Sequence, residues 1–221
     1  MLFRSDNESS FEIERSTNGV DFAPRGTVGA NVTAYSDTGL SASTTYWYRV
    51  NATNGAGDSG YTNVANATTN PPSATTVRAN GSIAVAGTVS GTYTATHADD
   101  GVYHSITERL SGGASSTRYS YLEHKWTFSV PAGTSATFAI EAHHSVSTDG
   151  DDFVFAYSTD NVGFTDLLTV TKTADSAVVQ TAALPAGISG TVYIRVRDTD
   201  RTPGHKTKDT VRVDDMYITV Q

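Results

Sequence analysis

The chain contains no cysteine, which excludes disulfides, thiolate metal sites and a cysteine nucleophile together. Basic residues are also scarce. Lys and Arg number 15 against 23 Asp and Glu, a formal net charge of −8. Each phosphate contact wants a Lys or Arg, so this balance argues against nucleic acid and anionic membrane as partners. No apolar run approaches the ~18 residues of a membrane-spanning helix, and Met1-Leu2-Phe3-Arg4 does not read as a signal peptide. An export signal is therefore expected upstream of this stretch. Catalytic signatures are missing as well: there is no GxSxG elbow, HExxH helix or glycine loop for phosphate, and the expectation is a protein that is not an enzyme. Only six prolines occur, and two are consecutive. Asn70-Pro71-Pro72-Ser73 forbids helix and marks a linker, placed at 71–75 between a domain at 1–70 and a domain at 76–221.

What is present is alternation. In YLEHKWTFSV, Leu122, His124, Trp126, Phe128 and Val130 share one parity, and Glu123, Lys125, Thr127 and Ser129 the other. Period 2 sets an apolar face against a polar one and predicts a half-buried strand. Phe138, Ile140 and Ala142 repeat the pattern after a Pro131-Ala132-Gly133 turn. Short strands are expected at 87–97, 102–110, 118–130, 135–144, 153–158, 167–172, 177–182, 191–197 and 210–220, with turn residues between them and no helical periodicity. The fold class that follows is all-β, with the second domain a two-sheet jelly-roll β-sandwich.

Residues 11–69 resemble the later part of a fibronectin type III domain. FEIERSTNGVDF reads as strand, Asn18-Gly19 turn and return strand. In YSDTGLSASTTYWYRV, the positions of Leu40, Tyr46, Tyr48 and Val50 match the family pattern. The resemblance implies that the Tyr46 hydroxyl bonds back to the preceding loop and that two opening strands are missing, a truncated immunoglobulin-like sandwich, while alternation sets Trp47 opposite Tyr46 and Tyr48 on its strand, exposed. An open edge left by that truncation would invite completion by a neighbouring surface, or self-association. Residues 90–220 resemble, less closely, a β-sandwich accessory module found at the C-terminal ends of secreted bacterial multidomain proteins, often beside fibronectin type III repeats. DDGVYHSITE, GDDFVFAYSTDN, GTVYIRVRDTDR and VDDMYI carry that likeness. It implies a non-catalytic role at an extracellular or cell-surface location, attaching a parent protein to polysaccharide or cell-surface glycan. A purely structural or adhesive spacer is the alternative.

Chemistry is expected in two places. Acidic pairs sit at strand ends: Asp99 with Asp100, Asp149 with Asp151, and Asp214 with Asp215. Oxygen-only ligands on loops suit calcium. Asp214-Asp215 also breaks the alternation between Val211, Val213 and Met216, Ile218, which predicts a bulge close to the Asp99-Asp100 loop. For a glycan, the outward parity of 191–197 offers Tyr193, Arg195 and Arg197, with Glu141 and His143 expected alongside, and Tyr119 and Tyr121 leading into the central strand. Aromatic faces stack on sugar rings while guanidinium and carboxylate groups bond hydroxyls. The six histidines show no zinc spacing. His143 and His144 point to opposite faces, and His124 shares the inward parity of Trp126.

Overall fold

The computed structural model describes residues 7–221, so the tetrapeptide read above for a signal lies outside the described residues. The chain forms two compact units, Met1–Ser73 and Ala74–Gln221. Both are built of β-strands, and no α-helix occurs among the described residues.

The first unit is one five-stranded antiparallel sheet. β1 (Ser10–Ser16) lies between β2 (Ala23–Gly29) and β3 (Thr45–Asn54), while β4 (Gly57–Asp58) and β5 (Ala65–Thr68) both pair with β3. Phe11, Ile13 and Val50 form its small apolar core. The tight two-residue turn expected at Asn18-Gly19 is instead a wider loop. Asn18 Oδ1 accepts the amides of Val20 and Asp21, each at 2.9 Å, so the return strand starts at Ala23. Gly19 has φ +75°, and a Cβ there would sit 3.3 Å from the Trp47 ring, which is half-buried beneath the loop. The Tyr46 hydroxyl accepts the Ser41 N–H at 3.1 Å, closing the preceding loop.

The second unit is a two-sheet sandwich. Its opening strands, β6 (Thr75–Arg78), β7 (Gly81–Ala86) and β8 (Thr88–Ser90), precede a 3-10 turn at Tyr93–Thr96. The first two were not expected, and the strand foreseen at 87–97 is cut short. Gly87 and Gly91 have φ of +106° and +81°, a left-handed backbone that L side chains rarely adopt, and they bound β8 on both sides. β9 (His104–Thr107) is followed by a small ribbon, β10 (Arg109–Leu110) with β11 (Ser120–Tyr121). The long central strands are β12 (Glu123–Val130) and β13 (Ala136–His144). After them come β14 (Phe153–Ser158), β15 (Thr165–Val170), β16 (Gln180–Leu184), β17 (Gly190–Asp198) and β18 (Thr210–Val220).

One sheet runs β15-β14-β17-β12-β7 and the other β16-β13-β18-β9-β8, with β6 also on β18. Because β12, β14 and β17 fall in the first sheet and β13, β16 and β18 in the second, the chain crosses repeatedly between layers, as in a jelly roll. Inward parities meet between the layers. Trp126, Phe138, Phe155, Ile194 and Ile218 are fully buried there, with Trp126 and Phe138 both stacked on Phe155 at ring distances of 6.1 and 6.3 Å. His104, His124 and His144 are buried as well.

Candidate functional site

The outward parity of the first sheet is one candidate. Antiparallel register sets Glu123 opposite Arg197, Lys125 opposite Arg195 and Thr127 opposite Tyr193. Arg195 stacks on Phe164, its guanidinium carbon 4.1 Å from the ring centroid, and Lys125 Nζ lies 5.0 Å from the same ring. Lys125 also donates to Asn161 Oδ1 at 2.8 Å. Burial and the neighbouring Arg197 lower the Arg195 pKa from its usual value, and Arg195 Nε is buried without a hydrogen-bond partner.

Beyond Arg197 the face opens into a cavity of about 490 Å³ lined by Val154, Asp166, Arg197, Asp198, Thr199 and Arg201. The Arg201 guanidinium reaches over Tyr121 at 5.4 Å, Arg109 approaches the same ring at 5.7 Å, and Tyr119 lies 5.8 Å from Tyr121. The expected Tyr119, Tyr121, Arg195 and Arg197 thus border one continuous stretch, with Tyr193 farther along the sheet beside Thr127. Phe164 and Arg201 were not foreseen. Phe164 follows the Asp160 turn and Arg201 follows β17, where alternation no longer tells which way a side chain points.

Glu141 and His143 are not part of this face. Their strand, β13, belongs to the other sheet, where it pairs with β16 and β18. Parity assigns a side chain to the outside of its own layer without saying which layer that is, and the expectation that they flank Tyr193 fails for this reason.

They build a second candidate, an acidic pocket on the outer side of the opposite sheet. The predicted bulge is present: Glu141 faces Asp215 and Ala142 faces Val213, leaving Asp214 as the extra residue. Both Asp214 oxygens accept loop amides, Oδ1 from Asp100 at 3.3 Å and Oδ2 from Gly101 at 2.8 Å. One oxygen each from Asp99, Glu141 and Asp214 lies within 4.8 Å of the others, and Glu141, His143 and Asp175 form an overlapping group. Glu141 is fully buried, neither of its oxygens makes a hydrogen bond of regular geometry, and the Ser176 backbone approaches its carboxyl. Burial, reinforced by Asp175 and Asp214, pushes its pKa up to about 7, and desolvation with the Asp214 charge also raises Asp99. Tyr103 donates to Asp175 at 2.8 Å and packs its ring edge-on to His143 at 5.2 Å.

A buried carboxylate facing two others is a donor set that fits a hard cation. The remaining expected acids are engaged elsewhere. Asp215 is ion-paired with Arg78, and Asp100 caps its own turn by accepting the Val102 amide at 3.0 Å. Asp149 accepts the Ser147 hydroxyl and the Thr207 amide, and Asp151 lies with Glu108 and Asp209 rather than with Asp214.

No protein-family profile matches this chain, and no curated protein matches it. Comparison with solved structures returns, among others, a carbohydrate-binding module, TmCBM61, in complex with β-1,4-galactotriose. It has 12% identity and a TM-score of 0.39, over 65% of this chain and 91% of that one. A family 29 carbohydrate-binding module complexed with mannohexaose has 12% identity and a TM-score of 0.40, over 67% and 93%. An α-L-rhamnosidase from Aspergillus terreus has 12% identity and a TM-score of 0.25, over 96% of this chain and 24% of that one.

Proposed function

We propose that residues 74–221 are a non-catalytic carbohydrate-binding module of an exported bacterial protein, which attaches its parent to polysaccharide or to a cell-surface glycan. Residues 7–73 serve as a spacer of fibronectin type III type. The observation that carries this reading is the outer face of the first sheet, where the Arg195 guanidinium sits over the Phe164 ring beside an open cavity edged by Arg197, Arg201 and Asp166. Planar cations and carboxylates bond sugar hydroxyls, and the rings of Tyr121 and Phe164 offer surfaces on which a pyranose can stack. Calcium is a structural ion in this proposal, held by Asp99, Glu141 and Asp214, where it cancels like charges that burial makes costly.

The test is a glycan array paired with a pull-down on insoluble polysaccharides, using the full chain and its Tyr121→Ala and Arg201→Ala variants. Retention of the parent chain on at least one glycan and its loss in both variants supports the reading. Retention on none, or retention that neither variant changes, overturns it. The adhesive alternative relies on pairing through the edge strand β2. Pro24 lies in that strand, and the register of its pairing with β1 shifts between Ile13 and Glu14. Both features discourage edge-to-edge association, and a sedimentation profile that stays monomeric at rising concentration would dismiss it.

A further inference from the structure

Away from the Glu141 pocket, three other carboxylates converge in the second unit. Glu108 follows β9, Asp151 precedes β14 and Asp209 precedes β18, and each is 1% exposed. One oxygen of each is used within the protein. Glu108 Oε2 accepts the Asp209 amide at 2.9 Å, Asp209 Oδ1 accepts the Ser145 hydroxyl at 2.8 Å, and Asp151 Oδ1 accepts the Asp200 amide at 3.1 Å. The other oxygen of each, Glu108 Oε1, Asp209 Oδ2 and Asp151 Oδ2, is shielded from solvent and has no hydrogen-bond partner. A ligand oxygen from each of the three residues lies within 4.8 Å of the other two. Ser120, 1% exposed, sets its hydroxyl beside the Glu108 carboxylate as a fourth buried oxygen of the group.

The orientation of these groups is fixed by the oxygens already engaged. Backbone amides and one hydroxyl hold each carboxylate by one side, so the free oxygens cannot turn away to find partners of their own. Among the described residues, none of the three carboxylates takes part in an ion pair. Neighbouring Asp198 is ion-paired with Arg201 at 3.2 Å and also accepts the Leu122 amide. A buried polar atom left unpaired is costly, and more so when it is charged, so free carboxylate oxygens converging at one point mark a place built for something positive. Only oxygen is offered, which selects a hard cation over zinc or copper.

We propose that Glu108, Asp151 and Asp209 bind a divalent hard cation of the calcium class, at a second site separate from the Asp99–Glu141–Asp214 pocket and independent of it. The cation joins three segments that backbone hydrogen bonds link only in part. Asp151 and Asp152 also hold the loop after β17, through the Asp200 amide, the Thr199 amide and the Thr199 hydroxyl. That loop carries Arg201, so the ion braces one rim of the cavity beside Tyr121.

The test is calcium titration of the chelator-stripped full chain by calorimetry. It is repeated on Glu108→Gln, which keeps the shape and removes one charge, on Asp209→Asn, and on Glu141→Gln as the control for the other pocket. Near-ultraviolet circular dichroism confirms the fold of each variant. Glu108→Gln and Asp209→Asn are expected to weaken one binding event at least tenfold, an event that Glu141→Gln leaves unchanged. Binding that Glu108→Gln and Asp209→Asn leave as in the parent chain overturns the proposal. If those variants do not fold, crystals of the unaltered chain soaked in manganese decide the matter. An anomalous peak among Glu108 Oε1, Asp151 Oδ2 and Asp209 Oδ2 supports the site, and its absence at saturating metal rejects it.

Discussion

Trp126 donates its indole N–H to His104 Nδ1 at 2.9 Å, inside the sandwich where both residues are buried. The bond makes Nδ1 an acceptor, which leaves the proton on Nε2 and keeps the ring neutral. His124 packs edge-on against both, with ring distances of 4.9 Å to His104 and 4.7 Å to Trp126.

Burial lowers the pKa of His104 to about 4, and burial together with His104 lowers that of His124 to about 3, against 6.5 for an exposed ring. Both folded values lie below the unfolded one. The stability they contribute is complete above pH 6.5 and is lost as pH falls toward 4 and below, because the unfolded chain takes up protons that the folded one refuses. Urea denaturation at pH 7.5 and 4.5 should show a loss on the order of 3 kcal/mol for each histidine. His124→Leu should flatten that acid limb, and an unchanged limb would place the acid sensitivity elsewhere.

Glu141 gives the opposite slope. With its folded pKa raised to about 7, it favours the fold fully below pH 4.5, and that contribution fades as pH rises through 7. In chelator-stripped protein the stability difference between the unaltered chain and Glu141→Gln should shift against the unaltered chain by about 1–2 kcal/mol between pH 5 and 8, beneath the larger opposite slope of the two histidines, since the exposed mouth at Asp99 screens part of the penalty. Calcium at pH 8 should raise the melting temperature of the unaltered chain by more than that of the variant, and equal shifts would remove Glu141 from the ion's ligands.

Much of the second unit was legible because period 2 survives in its long strands. Trp126, Phe138 and Ile194 point inward as alternation predicts, and the break between Val213 and Met216 is the bulge it announced. What alternation cannot carry is the pairing of layers. It places Glu141 outside a sheet but not on which sheet, and it says nothing about residues in loops. Phe164, Arg201, Glu108 and Asp209 owe their positions to chain crossings tens of residues apart. The short strands β6 and β7 escaped notice because neither buries a complete face. In β7 Ser82, Ile83 and Ala84 stay exposed, and in β6 only Val77 and Arg78 are half-buried, so the pattern that marks β12 is absent.

The stack of Arg195 on Phe164 should serve the ligand more than the fold. Phe164 lies in the segment between β14 and β15 and is only half-buried, and a cation–π contact at such a site is worth about 0.5–2 kcal/mol. Phe164→Ala should therefore cost the fold no more than that in denaturant titration, while glycan retention drops about tenfold or more. A variant that loses stability heavily yet binds as before would reverse the assignment.

The bulge at Asp214 permits a sharper test, because deleting a residue there and inserting one beyond it should have opposite consequences. Val213 and Met216 both point inward although three positions apart, so one of the two intervening residues is surplus to the ladder. Deleting Asp214 leaves one residue between them, restores regular alternation and keeps Met216, Ile218 and Val220 in the core. The deletion variant should fold, with a loss of about 1–3 kcal/mol for the amides of Asp100 and Gly101 that lose their acceptor, and its calcium-dependent stabilisation should shrink. Inserting one alanine after Met216, beyond the bulge, instead turns Ile218 and Val220 toward solvent and should abolish cooperative unfolding of the second unit. Both variants can be read by circular dichroism and calorimetry in one series. A deletion variant that unfolds as completely as the insertion would mean that Asp214 holds the strand in register, not merely the loop across from it.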